Sequence, residues 1–158
     1  MKKTALIIPY SRIDSYKKLL KDKKTVLVGG CFDLLHFGHL QFLKKAKVLG
    51  NYLIVVLESD EFIKKNKRES PIHSQKERAE VLSAINVVDL VVNLPYFSSN
   101  KEYSDMVKTI NPNIVAVTEG DPQLNNKRKQ IEEIGGKLKI VTPLLKKFST
   151  RKIVSVFN

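Results

Sequence analysis

Five short apolar runs, Thr25 to Val28, Tyr52 to Leu57, Val87 to Val92, Ile114 to Val117 and Leu138 to Val141, recur along the chain with helix-like segments between them. Strands alternating with helices build a parallel sheet wrapped by those helices, which constrains the fold more than any other feature of the chain. The intervening segments are Ser11 to Lys21, Leu35 to Leu49, a short helix from Ser59, Ser74 to Ala84, Lys101 to Ile110, Gln123 to Ile134, and a last turn opening at Ser149-Thr150. Their ends carry the expected signals: Gly50-Asn51 and Gly135-Gly136 as stops, Asn111-Pro112 as a breaker, and the capping-box spacing of Ser74 and Glu77. The expectation is an α/β fold: a Rossmann-like five-stranded parallel sheet flanked by helices, in one domain over residues 23–158. Residues 1–22 are read as an N-terminal segment with an amphipathic helix.

The chemistry-bearing feature is His36-Phe37-Gly38-His39, directly after the first run and its Gly29-Gly30. A helix starting near Leu35 places both imidazoles on one face of its first turn, because positions three apart are neighbours on a helix. Free backbone N–H groups and the positive helix end make that place suit a phosphate, and Gly29, Gly30 and Gly38 let backbone approach it closely. A pair of packed histidines remains the plain alternative.

Composition narrows the class. At 158 residues the chain suits one domain, and its single cysteine, Cys31, excludes an internal disulfide and a multi-cysteine zinc site. The apolar N-terminal stretch stops at Pro9 with no small-residue cleavage site, and no run approaches the roughly 20 residues of a membrane span. A cytoplasmic protein without membrane contact is expected. A net charge of +12 favours anionic partners. The lysines are spread along the sequence and not gathered into an aromatic-interleaved tract, so nucleotides are expected over nucleic acid.

Gly30-Cys31-Phe32-Asp33-Leu34-Leu35-His36-Phe37-Gly38-His39 resembles the signature of the cytidylyltransferase-like nucleotidyltransferases, and Phe148-Ser149-Thr150-Arg151-Lys152-Ile153 resembles their second signature. The likeness continues in order through Ser59-Asp60, Glu77 to Leu82, Val88-Asp89 and Gly120-Asp121. Within the family the marks are most similar to the adenylyltransferase domain of ADP-heptose synthase and, more distantly, to glycerol-3-phosphate cytidylyltransferase. The resemblance implies transfer of a nucleoside monophosphate from ATP or CTP to an anionic phosphorylated acceptor, a sugar or polyol phosphate, with release of pyrophosphate. In-line attack needs positioning and charge stabilisation and no covalent nucleophile.

By the same resemblance His36 and His39 are the catalytic pair, donating to phosphate oxygens. Gly30, Cys31, Phe32, Gly38, Lys67, Gly120, Asp121, Ser149, Thr150 and Arg151 bind nucleotide, and Asp33 and Arg78 contact substrate. Mg²⁺ is expected to arrive with the triphosphate, and a homodimer is implied. Structural alternatives stand beside these roles: Ser149-Thr150 as a helix cap, Lys67 as one of several equivalent loop cations, Asp33 as a brace, and Arg78 as a partner on its own helix. The chain departs from its nearest look-alikes at Thr118-Glu119, where a cation is usual, and at Lys146-Lys147 and Arg151. Two further functions remain open: FMN adenylyltransferase, and a non-catalytic nucleotide- or nucleic-acid-binding module. The two signatures also resemble those of class I aminoacyl-tRNA synthetases, but the chain has no room for their further parts.

Overall fold

The computed structural model describes residues 4–143 and 149–156. Its sheet has six parallel strands: β1 (Leu6–Pro9), β2 (Thr25–Gly30), β3 (Tyr52–Leu57), β4 (Leu90–Asn93), β5 (Ile114–Thr118) and β6 (Lys137–Thr142). They are ordered β1-β4-β3-β2-β5-β6. A 3-10 helix (Tyr10–Tyr16) leads into α1 (Lys17–Leu20). The remaining helices are α2 (Phe37–Lys47), α3 (Asp60–Lys67), α4 (Gln75–Ser83), α5 (Asn100–Ile110), α6 (Leu124–Glu132) and α7 (Thr150–Ser155).

All six residues of β3 are buried, because β3 pairs with β2 and β4 and is covered on both faces. That is why it reads as an unbroken apolar run with no alternation. Ile54 and Val56 join one core with Met106, Val107 and Ile131 from α5 and α6, whereas Leu53, Val55 and Leu57 join the other with Phe42, Leu43 and Leu82 from α2 and α4. Gly50 lets β3 begin close to β2: a Cβ there would lie 2.3 Å from the Lys24 carbonyl oxygen.

The sixth strand corrects the five-stranded expectation. Leu6 to Pro9 pairs in register with Leu90 to Asn93 at the sheet edge. Only Ile8 is buried, while Leu6 and Ile7 are 44% and 40% exposed. A four-residue edge strand ending in proline carries little of the pattern that marks a strand in sequence. Residues 4–22 therefore add a strand to the expected N-terminal segment, and its helical stretch is a 3-10 helix that runs directly into α1. Helix α3 also takes in Lys64, Lys65 and Lys67, expected in a loop, because cations are favoured in the last turn of a helix.

β2 lies beside β3 on one side and β5 on the other, so the direction of winding reverses there. In open α/β sheets the crevice outside the strand ends at such a reversal is where ligands bind.

Candidate active site

A cavity of about 950 Å³ opens at that place. Its floor is Gly29, Gly30, Ala116, Val117 and Thr118, and its walls come from the start of α2, the end of α3, α7, and the loops after β2 and β5. Phe32 and Leu34 in the β2–α2 loop adopt φ of 47° and 52°, in the left-handed region that non-glycine residues enter at a cost of order 1–3 kcal/mol. Packing holds this bend: Phe32 is 6% exposed, and its ring fills the space a Cβ on Gly30 would enter. The absent Gly30 side chain therefore makes room for Phe32 as well as bordering the cavity.

The two histidines sit differently from the expected first-turn arrangement. Phe37 opens α2, so His36 is the N-cap in extended backbone and His39 lies three positions on. The His36 backbone N–H donates to His39 Nδ1 at 3.3 Å. The rings stack with centroids 3.8 Å apart and planes 25° from parallel. Since His39 Nδ1 is an acceptor, the ring proton of the neutral imidazole is on Nε2, available as a donor. Burial first, then the His36 and Lys67 charges, lowers the His39 pKa to about 4, and burial lowers that of His36. His36 Nδ1 is buried and has no hydrogen-bond partner among the described residues. Both rings border the cavity at the N-terminus of an eleven-residue helix, where backbone N–H groups favour an anion.

Among the basic residues the fold separates equivalents. Lys67 borders the cavity near Cys31, and desolvation holds that thiol above its ordinary pKa against the opposing Lys67 charge. Lys65 is turned away, paired with Glu61 at 2.6 Å and lying 4.3 Å above the Tyr96 ring, and Lys64 does not border the cavity. Arg151 and Ser149 reach the cavity from the other side. Ser149 Oγ also accepts from the Lys152 N–H at 3.2 Å, so it caps α7 in addition. Thr150 opens that helix. Phe148 and Lys146-Lys147 lie outside the described residues.

Asp33 borders the cavity, and its carboxylate accepts the backbone N–H groups of Ile72 (2.7 Å) and His73 (3.1 Å), bracing the loop before α4. Arg78, expected to contact substrate, does not line the cavity. It is 1% exposed and donates to the carbonyls of His73, Cys31 and Glu58 and to Asp60 Oδ1. Gly120, with φ of 76°, shapes the turn and does not line the cavity, whereas Asp121 does. Glu119 stays outside, its N–H bonded to the Thr142 carbonyl.

Lys127 is a cavity residue that the sequence does not single out among its scattered lysines. It holds Asp121 Oδ2 at 2.6 Å. Its first-turn position on α6, six residues after Asp121, is the signal that could have singled it out. The apolar lining from Phe42, Ile63, Ile72 and Val154 was missed as well.

Behind this edge, Glu58 is buried, with Oε1 2.8 Å from the donating Tyr103 hydroxyl and Oε2 without a hydrogen-bond partner among the described residues. Desolvation raises its pKa, against the opposing hydrogen bond from Tyr103 and the charges of Lys127 and Arg78. The native state therefore binds this proton more tightly than the unfolded chain. That contribution is full below the ordinary value of 4.5 and is lost as pH rises through the raised value. Glu58→Gln keeps an acceptor for Tyr103 and cannot ionise, so its melting temperature relative to the parent is expected to rise between pH 4.5 and neutrality. Paired thermal melts check this, and a difference that stays constant or falls with pH contradicts it.

A parallel sheet with stacked histidines, basic side chains and helix starts around the crevice at its reversal point defines a nucleotide-handling enzyme. The cytidylyltransferase-like family model matches residues 27–155, and the chain belongs to that family of nucleotidyltransferases. An FAD synthase from Thermococcus kodakarensis is 42% identical over 115 residues, covering 72% of this chain and 73% of the relative. One from Pyrococcus horikoshii is 39% identical over 121 residues, covering 75% and 79%. The bifunctional protein HldE of Campylobacter jejuni subsp. doylei is 46% identical over 95 residues, which are 52% of this chain and 21% of that protein. Among solved structures, a lipopolysaccharide core biosynthesis protein from Thermoplasma volcanium superposes with TM-score 0.62 at 28% identity, over 76% of this chain and 95% of that one. A pantoate-beta-alanine ligase from Francisella tularensis shares the fold, with TM-score 0.70 at 18% identity over 95% and 73%. Among the described residues no helix is long and apolar enough to cross a membrane.

Proposed function

We propose that the protein is an FMN adenylyltransferase, forming FAD and pyrophosphate from ATP and FMN. The observation that carries this reading is the match to FAD synthases over nearly three quarters or more of their own length. The likeness to HldE spans about a fifth of that protein. The cavity agrees: Ile63, Ile72 and Val154 offer apolar area on which a flavin ring packs.

In this reading an FMN phosphate oxygen attacks the α-phosphorus of ATP in line. A new P–O bond forms, the bond to the β-phosphate oxygen breaks, and pyrophosphate leaves with that electron pair. His39 Nε2–H and His36 donate to the oxygens where charge accumulates. Lys67, Arg151, Ser149 and Thr150 hold the triphosphate, and the backbone of Gly30 and Cys31 runs beside the nucleotide. Asp121, held by Lys127, faces the ribose or base. Mg²⁺ would come with the triphosphate, whose oxygens would hold it, and would neutralise charge on the leaving pyrophosphate. Asp121 already accepts from the Lys127 ammonium and the Gln123 N–H.

The test is incubation of ATP, CTP, GTP or UTP with FMN, heptose 1-phosphate or glycerol 3-phosphate, following pyrophosphate and separating FAD by chromatography. FAD formed from ATP and FMN is the expected result. Pyrophosphate with heptose 1-phosphate and none with FMN would replace this reading by the sugar-phosphate one, which the higher local identity to HldE favours.

A further inference from the structure

The fold builds a second concave basic surface at the opposite end of the sheet. A groove of about 600 Å³ is lined by Lys17, Lys18, Lys21, Lys23 and Lys108, together with Thr25, Asn111 and Asn113. Thr25 is the first residue of β2 and Gly30 the last, so the groove lies a strand length, roughly 20 Å, from the nucleotide cavity. In sequence these lysines belong to two separate segments, and only the tertiary fold, in which the 3-10 helix before α1 contacts α5, brings them around one groove.

Their partners are unequal. Lys17 is paired with Asp14 at 2.6 Å and Lys108 with Glu133 at 3.2 Å. Lys18, Lys21 and Lys23 are exposed and have no ion pair among the described residues. Lysines in the last turn of a helix are ordinary partners of its negative end, which accounts for Lys17, Lys18 and Lys108. Lys21 and Lys23 lie beyond that turn, and their ammonium groups add to the same concavity. Like charges gathered this way repel one another and are relieved by a ligand carrying several negative charges in a row.

We propose that this groove binds the phosphodiester backbone of single-stranded nucleic acid, separately from the nucleotide cavity. A concave track in which Lys18, Lys21 and Lys23 carry exposed ammonium groups without ion pairs among the described residues suits a flexible chain of phosphates. A lipid surface, being flat, reaches the rim of such a groove and not its floor.

The experiment follows the anisotropy of a short fluorescein-labelled oligouridine titrated with the intact protein across a salt series. Binding at low salt is expected, with a slope of log affinity on log salt near −2, at about −0.7 for each of three neutralised phosphates. Lys18→Glu/Lys21→Glu/Lys23→Glu is expected to weaken binding at least tenfold and to flatten the slope. Lys44→Glu/Lys76→Glu/Lys139→Glu, which lowers net charge equally from exposed sites elsewhere, is expected to keep the slope. Excess ATP should leave binding unchanged, and thermal melts confirm that both variants are folded. Equal losses in the two variants, displacement by ATP, or binding only to vesicles of phosphatidylserine would each overturn the proposal. A Lys18→Gln/Lys21→Gln/Lys23→Gln variant repeats the test should charge reversal impair folding. The readout is binding, so it stands or falls independently of which acceptor the enzyme adenylylates.

Discussion

His39→Ala is expected to lower turnover by about two to three orders of magnitude while the protein stays folded, the usual scale for losing one donor aimed at developing charge. The His36 N–H bond to Nδ1 leaves Nε2–H as the end of the ring that can reach a phosphate. With a pKa held near 4, the ring performs this as a neutral donor throughout the neutral range. The substitution also deletes a bond at the helix start, at about 0.5–2 kcal/mol. This stability deficit carries a pH signature. The folded pKa lies below the ordinary 6.5, so the unfolded chain takes up the proton first and the parent loses stability as pH falls from 6.5 towards 4. The alanine variant lacks that loss, and its deficit should shrink over the same window. Steady-state pyrophosphate release and thermal melts at several pH values measure both effects. Unchanged turnover would remove His39 from the chemistry, whatever the melts show.

Arg78→Ala is expected to be the most destabilising single change in the protein, at about 3–5 kcal/mol, out of a total stability for such domains of about 5–15 kcal/mol. The guanidinium joins four separate places: the loop after β2 through Cys31, the end of β3 through Glu58, the start of α3 through Asp60, and the loop before α4 through His73. Alanine leaves three carbonyls and a carboxylate without the donors of a guanidinium that is itself 1% exposed, and empties the space that side chain fills. Arg78→Lys recovers little, because one ammonium cannot replace a planar fork with donors in several directions. Chemical denaturation reads the shift in midpoint, and the activity loss should track the folded fraction. A raised KM with the midpoint unmoved would support the substrate-contact role that the family resemblance implies for Arg78.

Much of this architecture is local and therefore legible in the sequence. The β3 run is apolar at every position because both its faces are covered, and Ser74 with Glu77 forms the reciprocal cap its spacing implies. β1 was not legible: an edge strand of four residues with two exposed apolar side chains resembles a leader segment. The stacking of His36 on His39 was not legible either, since it depends on where α2 begins, and a shift of two residues moves His36 from the first turn to the cap.

The alternation of strand and helix, and the histidine pair at the end of β2, follow from the sequence alone, because periodicity and short spacings act between residues that are neighbours in the chain. Which charges serve the site was decided by the tertiary structure. Lys64, Lys65 and Lys67 are equivalent on paper, as are Lys127 and the other lysines and arginines of α6. Only the rotation at which each helix packs on the sheet turns Lys67 and Lys127 into the cavity, leaves Lys65 on Glu61, and gathers the lysines of α1 and α5 into one groove. A side chain's direction is set by the core beneath its helix, and that core is assembled from segments far apart in the chain.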